Sequence, residues 1–528
     1  MKKIFLIAAA LLTVSAAFAD MTYEQYLKQQ MTDYQNYLEQ IDKDFSSFLK
    51  QTWYEYKGEK PEKLLEEPKP VKAPVAEPEK KPEPVVIIPK QPETKPVQPE
   101  PEKPVPAPVP GEKKPEPAKE EPKAEVPAPT VPPVAEPVPQ EPEVQEPVMK
   151  EPAPEPPYVP GQESDGMQLS FYGRDLVIPY DKRLGVKVAL PISSDAVAAW
   201  WESAASTDYK KTLAYLLKVN KEMRLGDWGL VSLLERFSAK LSGDTPERKM
   251  LEWFFLNKAG YDAKLGYTKE GITKVMLPSD RQLYSVPFFN FGGVRYYVVD
   301  VFGQTGKAGS LYTYKGKYPD AVKGLRFEKM DSPDLGFAGF SRNLRFDLDG
   351  RKYDIKAIAN RYDIAYLNNF PQADLSVYTS AKTPEWIDKT ILPELKKVVD
   401  GKSPRDAVNA LLRFVQTAFD YKTDGEQFGR EKFFFAEETL YYPYSDCEDR
   451  SILFAYLVKK LLGLDIIMLD FPGHIATAVD LGKDNTGAVV EYKGKKYTVS
   501  DPTYINATVG MVMPDYRNTS PNIIEPDI

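Results

Sequence analysis

Residues 58–160 constrain the fold of this chain of 528 residues more than any other feature, because they hold 32 of its 49 prolines. No Phe, Trp or Tyr occurs between Lys57 and Pro157. Such a segment cannot bury enough apolar surface to offset the entropy that is lost on ordering, and proline favours extended polyproline II. We therefore predict a disordered linker over 58–160. Its simplest role is that of a spacer. The more specific alternative is that it is a ligand for a domain that recognises proline-rich peptides.

The first 19 residues have the pattern of a secretory signal peptide. Lys2 and Lys3 supply the positive end, an apolar stretch follows, and the Ala-Phe-Ala of residues 17–19 forms a cleavage site before Asp20. No later segment reaches the roughly 18 apolar residues that a membrane span needs. The sequence thus predicts an exported protein, periplasmic or extracellular, without a transmembrane segment.

Residues 20–57 are predicted to form an amphipathic helix. Apolar residues recur there at alternating spacings of four and three, as Leu27, Met31, Tyr34, Leu38, Ile41, Phe45 and Phe48. The stripe favours docking on the rest of the chain, or contact with a protein partner at the cell envelope, over a coiled coil that joins copies of the chain, because the repeat is short and rich in aromatics.

The remainder is predicted to be α+β in two parts. Residues 165–385 begin with helical spacing and continue with two hairpins, over Gly292-Gly293 and over Asp349-Gly350, as an accessory domain of mixed α and β structure. Residues 386–528 carry the motifs with chemistry. A helix starts at Ser403-Pro404, a second starts at Cys447 and ends at Gly463, and four strands follow.

The chain has one cysteine and one histidine, and a net charge of −8 without a long basic tract. It cannot form an internal disulfide, and a lone thiol is a liability in an oxidising compartment. Cys447 is therefore either an inert buried thiol or one retained for its chemistry. The interspersed charges give no indication of nucleic-acid binding.

Three motifs follow one another at equal spacing. Cys447 opens a helix in SDCEDRS, His474 opens a strand in PGHIATAVD, and Asp501 closes a strand in YTVSDPTY. A thiol, an imidazole and a carboxylate are the parts of a nucleophile, its base and the group that orients the base.

These motifs resemble the transglutaminase-like superfamily of papain-type cysteine enzymes, here in a bacterial exported form. The similarity covers about 403–510, in the pieces RDAVNALLRFVQTAFDY, DCEDRSILFAYLVKKLL, GHIATAVDL and YTVSDPTY. It implies a papain/transglutaminase-like catalytic domain over 386–528. By resemblance, Cys447 is the nucleophile, His474 the base and Asp501 its orienting group.

The local sequence also predicts how this thiol is tuned. Free N–H groups at a helix N-terminus favour the thiolate. Asp446, Glu448 and Asp449 oppose it, Arg450 offsets them in part, and we expect an imidazole partner to outweigh these charges, which the sequence places on the surface. The backbone N–H of Cys447 and the side-chain amide of Gln416 are candidate oxyanion donors, although Gln416 also fits an ordinary polar helix position.

The sequence thus predicts an acyl-transfer enzyme that acts on protein or peptide amides. Water as the acceptor gives a peptidase or amidase, and a lysine amine gives a cross-linker. The alternative is a non-catalytic scaffold or binding module of the same fold. No cofactor is predicted, and no metal site, because one Cys and one His are too few for a typical zinc site. Its many carboxylates leave calcium open, although no loop of EF-hand type occurs.

Overall fold

The computed structural model describes residues 23–63, 69–77, 82–90, 166–301 and 309–528, which belong to one compact unit of mixed α and β structure. The predicted signal peptide over 1–19 and the predicted linker from residue 91 to 160 lie outside the described residues. Within the described part of the chain, no helix is long and apolar enough to cross a bilayer.

The first half of the described chain contains two short N-terminal strands and a helical layer followed by a sheet. Its elements are α1 (Tyr23–Leu49), β1 (Tyr54–Lys57), β2 (Val85–Ile87), β3 (Met167–Phe171), β4 (Arg174–Ile178), α2 (Ser194–Ala205), α3 (Tyr209–Glu222), α4 (Gly226–Ser242), α5 (Pro246–Lys258), β5 (Lys264–Tyr267), β6 (Thr273–Pro278), β7 (Phe288–Phe291), β8 (Val294–Val299), β9 (Ser310–Thr313), β10 (Gly339–Leu348) and β11 (Arg351–Asn360).

The second half is built of helices that lead into a second sheet. Its elements are α6 (Arg361–Asn368), α7 (Leu375–Ser380), α8 (Glu385–Thr390), α9 (Leu392–Val399), α10 (Pro404–Thr417), β12 (Asp420–Tyr421), α11 (Asp424–Phe428), α12 (Ala436–Tyr441), β13 (Tyr444–Ser445), α13 (Cys447–Leu462), β14 (Ile466–Phe471), β15 (His474–Val479), β16 (Ala488–Tyr492), β17 (Lys495–Val499) and β18 (Asn522–Ile524).

Both predicted hairpins are present. The strand pairs β7–β8 and β10–β11 are antiparallel. Gly292 and Gly293 have φ of 59° and 83°, and Asp349 and Gly350 have φ of 51° and 77°. Two consecutive positive φ values suit the right-handed twist of a hairpin, and Gly and Asp tolerate that conformation better than most residues.

The N-terminal helix docks within its own chain, although it is shorter than predicted. Ile41, Phe45 and Leu49 are buried, and the Phe45 ring lies 4.8 Å from that of Trp201 on α2. The helix ends at Leu49 rather than at residue 57, and β1 instead joins the first sheet as an edge strand beside β9. The surface it meets is the helical part of the accessory region.

The prediction of a disordered linker over 58–160 is wrong for the described residues 58–63, 69–77 and 82–90. Residues 69–77, which we call the strap, and residues 82–90 pack against the second half of the chain. Val86 in β2 pairs in parallel with Val489 in β16, and the backbone N–H of Lys90 donates to the carbonyl of Pro521 at 2.9 Å. Proline removes one donor from the backbone but leaves every carbonyl and each neighbouring N–H able to pair, so a proline-rich segment can still add an edge strand.

The second sheet carries the predicted motifs. Its strand order is β18-β14-β15-β17-β16-β2, and only β2 runs parallel to its neighbour among the described pairs. Helix α13 packs on β14 and β15, and α10 packs on α13. The hairpin β10–β11 shares this core, since the rings of Phe346 and Phe414 lie 5.3 Å apart. The two predicted domains over 165–385 and 386–528 therefore do not have separate cores.

Candidate active site

Cys447 is the first residue of α13, as the sequence predicts, and its side chain is fully buried. Asp446 is the N-cap residue and has extended backbone angles. Its N–H donates to Asp449 Oδ2 at 3.3 Å, so the Asp449 side chain caps the N-terminus of the helix. Gly463, with φ of 66°, ends the helix. Its lack of a Cβ allows this left-handed conformation at little cost.

The second sheet brings His474 and Asp501 together. Strands β15 and β17 are antiparallel neighbours in the register Val479↔Thr498, and the N–H of Ser500 donates to the carbonyl of Thr477 at 2.8 Å. The start of one strand therefore lies beside the end of the other. His474 Nε2 lies 2.9 Å from Asp501 Oδ2, and both side chains are buried.

The other carboxylate oxygen of Asp501 also accepts hydrogen bonds. Its Oδ1 accepts the backbone N–H groups of Thr503 at 2.9 Å and Tyr504 at 3.2 Å. An ionised carboxylate only accepts hydrogen bonds, so a neutral His474 paired with it has its hydrogen on Nε2 and its lone pair on Nδ1. Among the described residues, His474 Nδ1 is buried without a hydrogen-bond partner. The imidazole thus presents a free basic nitrogen inside the protein.

Cys447 lies against the strand that His474 opens. The backbone N–H of Ile475 bonds to the thiol of Cys447, and the hydroxyl of Ser451 on α13 donates to the carbonyl of Ile475 at 3.1 Å. The thiol sulfur also lies 3.2 Å from Glu448 Oε2, to which it donates. The structure therefore brings the three predicted residues to one end of the sheet. It also directs the thiol hydrogen towards a carboxylate.

Gln416 has a different role from the predicted oxyanion donor. Its Nε2 donates to the carbonyls of Asp501 at 3.2 Å, Tyr504 at 2.9 Å and Ala507 at 3.0 Å. Two N–H groups shared among three carbonyls leave none for a substrate oxygen. Gln416 instead clamps the loop that carries Asp501, which makes it a positioning residue.

A cluster of acidic side chains lies beside the thiol. The positive charge that neutralises part of this cluster comes from Lys69 in the strap, which the sequence does not indicate. The ammonium group of Lys69 lies 2.9 Å from Asp446 Oδ2 and 2.7 Å from Glu431 Oε2, and it also bonds to Glu448. Asp424 lies 3.7 Å away. The motif EEPKPV around Lys69 resembles the rest of the proline-rich segment, so no local pattern distinguishes this lysine.

These carboxylates are also the residues that could hold a metal ion. Ligand atoms of Asp424, Glu431 and Glu448, and likewise of Asp424, Asp446 and Asp449, lie within 4.8 Å of one another. In this structure the Lys69 ammonium group lies among them.

The predicted lowering of the thiol pKa is wrong for this arrangement. Burial raises the pKa of Cys447 well above its usual range, and the negative charge of Glu448 raises it further, while Lys69 lowers it. Glu448 and Asp446 are buried rather than on the surface, so water does not screen them. Arg450 donates to the carbonyl of Phe419 at 2.9 Å rather than to these carboxylates.

The pKa values of the acidic cluster move in the same direction. Burial raises the pKa of Asp446 to about 7, and Glu448 adds to this effect, while Lys69 opposes it. Burial also raises the pKa values of Asp424 and Asp449 well above their usual range, and the neighbouring carboxylates contribute. Burial lowers the pKa of Lys69, but Glu448 and Asp446 more than reverse this, so Lys69 stays charged.

The ring of Tyr516 completes the surroundings of the imidazole. It stacks on His474 at a centroid distance of 5.2 Å and an interplanar angle of 18°. A cavity of about 800 Å³ lies elsewhere, with Trp228, Lys329 and Glu437 in its lining and none of the three predicted catalytic residues. Access to Cys447 therefore requires movement of the residues that cover it.

Comparisons with known proteins add little to this geometry. No family model and no curated protein matches the chain. A crystal structure of a putative protease from Parabacteroides distasonis shares 9% identity with it, with a TM-score of 0.15. That match covers 48% of this chain and 61% of the other, which is less than two thirds of that protein. At this identity and TM-score it supports neither a fold nor an activity.

Proposed function

We propose that the protein is an exported cysteine-dependent acyl-transfer enzyme of the transglutaminase-like type that acts on protein or peptide amides. The observation that carries this proposal is the buried His474–Asp501 pair at 2.9 Å, whose Nδ1 is left as a free base on the strand next to the thiol of Cys447. A nucleophile beside a base that is itself oriented by a third group is the arrangement that acyl transfer needs.

The proposed first step begins with rotation of the Cys447 side chain, which moves the thiol away from Glu448. The S–H proton moves to His474 Nδ1, and the sulfur attacks the amide carbon to form a tetrahedral intermediate. Collapse of the intermediate expels ammonia or an amine, which takes the proton from Nδ1, and leaves a thioester on Cys447. The N–H of Cys447 at the helix N-terminus is the oxyanion donor that remains after Gln416 is assigned to the loop.

The second step regenerates the thiol. Water or an amine gives up a proton to His474 Nδ1 and attacks the thioester, and the sulfur leaves and is reprotonated. Water makes the reaction a hydrolysis of a peptide or side-chain amide, and a lysine amine makes it a cross-link. Asp501 stabilises the imidazolium that exists in both steps.

A second candidate is a non-catalytic scaffold at the cell envelope. Its support is the full burial of Cys447, together with a thiol pKa that is raised by burial and by Glu448. A buried thiol that stays protonated at neutral pH is unreactive.

Acyl-enzyme trapping distinguishes these two functions. We would incubate the chain with a peptide digest and a biotinylated alkylamine, quench the reaction in acid, and search by mass spectrometry for a thioester on Cys447. Released peptides and biotin incorporation report hydrolysis and cross-linking. The Lys69→Met chain runs alongside the wild type, because Lys69 covers the cluster beside the thiol.

We expect a Cys447 adduct and products that disappear in Cys447→Ala. In Asp501→Asn the rate should fall by about 10²- to 10⁴-fold, because the amide cannot stabilise the imidazolium or fix its tautomer. Asp480→Asn is the matched control: Asp480 also accepts a backbone N–H, from Gly482 at 2.8 Å. Equal product from Cys447→Ala, or no adduct in either chain, would favour the scaffold.

A further inference from the structure

The strap is bound as an extended peptide would be. Its backbone pairs with the loop after Asp501: Ala76 N–H donates to the Ile505 carbonyl at 2.8 Å, and Ile505 N–H donates to the Pro74 carbonyl at 2.8 Å. The hydroxyl of Tyr421 donates to the carbonyl of Pro70, also at 2.8 Å. Main-chain pairing of this kind is how many peptide-binding proteins hold an extended ligand.

The side chains of the strap divide into those that face solvent and those that do not. Val71 and Val75 are 69% and 63% exposed, and Lys72 is exposed as well. Lys69 is buried, with only 3% of its side chain exposed. An extended segment that is exposed along much of its length therefore places a single long, charged side chain inside the protein.

The pocket that receives this side chain matches an ammonium group. Three carboxylates, those of Asp446, Glu431 and Glu448, lie within hydrogen-bond distance of Nζ, and an ammonium group has three donors. Asp424 adds a fourth carboxylate at 3.7 Å. The carboxylates outnumber the bound cation. In the described part of the chain, Asp446 Oδ1 is a further buried oxygen without a hydrogen-bond partner.

The pocket adjoins the candidate nucleophile. Glu448 binds Lys69 through Oε1 and accepts the thiol hydrogen of Cys447 through Oε2 at 3.2 Å. One carboxylate thus separates the ammonium group from the sulfur. A peptide that followed the path of the strap would place its lysine ammonium group on the carboxylate that the thiol contacts.

We propose that the pocket of Asp424, Glu431, Asp446 and Glu448 is a subsite for the primary ammonium group of a lysine in an extended peptide, and that Lys69 fills it in cis. Substrate peptides that carry a lysine must then displace the strap, which covers the site until they do. The assignment of these peptides as substrates rests on the function proposed above, but the subsite itself is a matter of binding.

Peptide binding in trans tests the subsite without any turnover. The probe is a fluorescein-labelled peptide with the sequence of residues 67–77, and the protein is the full chain with Cys447→Ser and Lys69→Met, which leaves the pocket without its own lysine. Two further probes carry an Nε-acetyl group, one on the lysine that corresponds to Lys69 and one on the lysine that corresponds to Lys72. Binding is followed by fluorescence anisotropy.

We expect acetylation at the Lys69 position to weaken binding at least tenfold, because it removes the charge and two of the three donors. Acetylation at the Lys72 position should change binding less than twofold. The Cys447→Ser chain that keeps Lys69 should bind the unmodified probe at least tenfold more weakly, since its own strap competes. Equal affinity for the three probes, or no binding to a Lys69→Met chain that melts cooperatively, would overturn the proposal.

Two controls keep the test decisive. If Lys69→Met does not fold, Glu431→Gln replaces it. That carboxylate is 32% exposed, and its loss should speed amide hydrogen exchange at Ala76 several-fold, whereas unchanged exchange would reject the subsite. Calcium that displaces the unmodified probe at micromolar concentration would identify a metal site instead. Because all the readouts are binding or exchange, they stay informative whether or not Cys447 proves catalytic.

Discussion

Glu448 is shared by Cys447 and Lys69, and it adds to the effect of burial on the thiol. It accepts the thiol hydrogen at 3.2 Å with one oxygen and binds the ammonium group with the other. Burial of the site raises the pKa of Cys447 and the charge of Glu448 raises it further, so the helix N-terminus does not yield a thiolate in this conformation. Under the proposed function, activation of Cys447 would require a change in these surroundings as well as His474.

The pH dependence of alkylation reports this tuning directly. Only the thiolate reacts with iodoacetamide, so a raised pKa moves the reaction to higher pH. We expect the rate for Cys447 in the wild-type chain to rise with a midpoint above that of a free thiol, whose pKa is about 8.5. Glu448→Gln removes the adjacent charge and should lower the midpoint.

The control for this measurement is Glu431→Gln, which removes a carboxylate that contacts Lys69 but for which no bond to the thiol is seen. Its midpoint should stay within about half a unit of the wild type, on a scale where one unit corresponds to about 1.4 kcal/mol. A wild-type midpoint near pH 6 would instead mean that a thiolate–imidazolium pair already exists in the resting chain.

At the scale of elements, the loop after β17 is held by a side chain from helix α10. Gln416 on α10 donates to the carbonyls of Asp501, Tyr504 and Ala507, and the first of these residues bonds His474. The helix therefore fixes the position of the carboxylate, and the carboxylate fixes the imidazole. Under the proposed function, Gln416 would therefore act on the thiol only through Asp501 and His474.

We expect Gln416→Leu to lower both stability and turnover. Each buried carbonyl that loses its donor costs about 1–3 kcal/mol, so the melting temperature should fall. A purely structural residue would add its effect on turnover to that of Asp501→Asn. If Gln416 acts through Asp501, the effect of Asp501→Asn should instead shrink in the Gln416→Leu background.

Asn409 on the same helix provides the comparison, because its Oδ1 accepts the N–H of Val509 at 2.8 Å, farther along the same loop. Asn409→Ala should lower stability and leave the effect of Asp501→Asn at its full size. Additive effects of Gln416→Leu and Asp501→Asn would refute the positioning role.

The elements that the sequence predicts correctly have local causes. Ser403 caps α10, and Gly463 ends α13. Gly292-Gly293 forms the turn of one hairpin and Asp349-Gly350 that of the other, so residues at each boundary determine where the element begins or ends. The resemblance of the three motifs implies that Cys447, His474 and Asp501 meet, and the register of β15 and β17 brings the latter two to one sheet end.

The elements that the sequence does not predict depend on contacts between distant segments. The strap and β2 are held by β16, by the loop near Ile505 and by the acidic cluster, all more than 300 residues later in the chain. Their composition gives no helix or strand period, so only the partner surface determines their conformation. For the same reason, local sequence patterns predict neither the contact of Lys69 with the acidic cluster nor the raised pKa of Cys447.

At the scale of the whole molecule, the described residues 23–63, 69–77 and 82–90 are an integral part of the fold that forms after residue 166. Strand β1 is an edge strand of the first sheet, and β2 is an edge strand of the second. Phe45 packs on Trp201, and Asp42 bonds to Lys258. The N-terminal residues therefore contribute to both sheets and to the helical core, although the sequence predicts that a linker separates them from it.

Cleavage of the chain between these parts should leave them associated. We would insert a site-specific protease site at residue 120, within the segment whose composition predicts a linker, and cleave the folded protein. We expect the two fragments to elute together from a sizing column, because two edge strands, a buried aromatic stripe and the Lys69 cluster hold them. Urea should separate them in the same transition that unfolds the larger fragment.

A Phe45→Ala chain should dissociate at lower urea, since truncation of a buried phenylalanine costs about 3–5 kcal/mol, whereas Tyr37→Ala, at an exposed position of the same helix, should not. Separation of the wild-type fragments in native buffer would show that the N-terminal fragment is a tethered appendage, and would remove the basis for a strap whose Lys69 fills the acidic pocket.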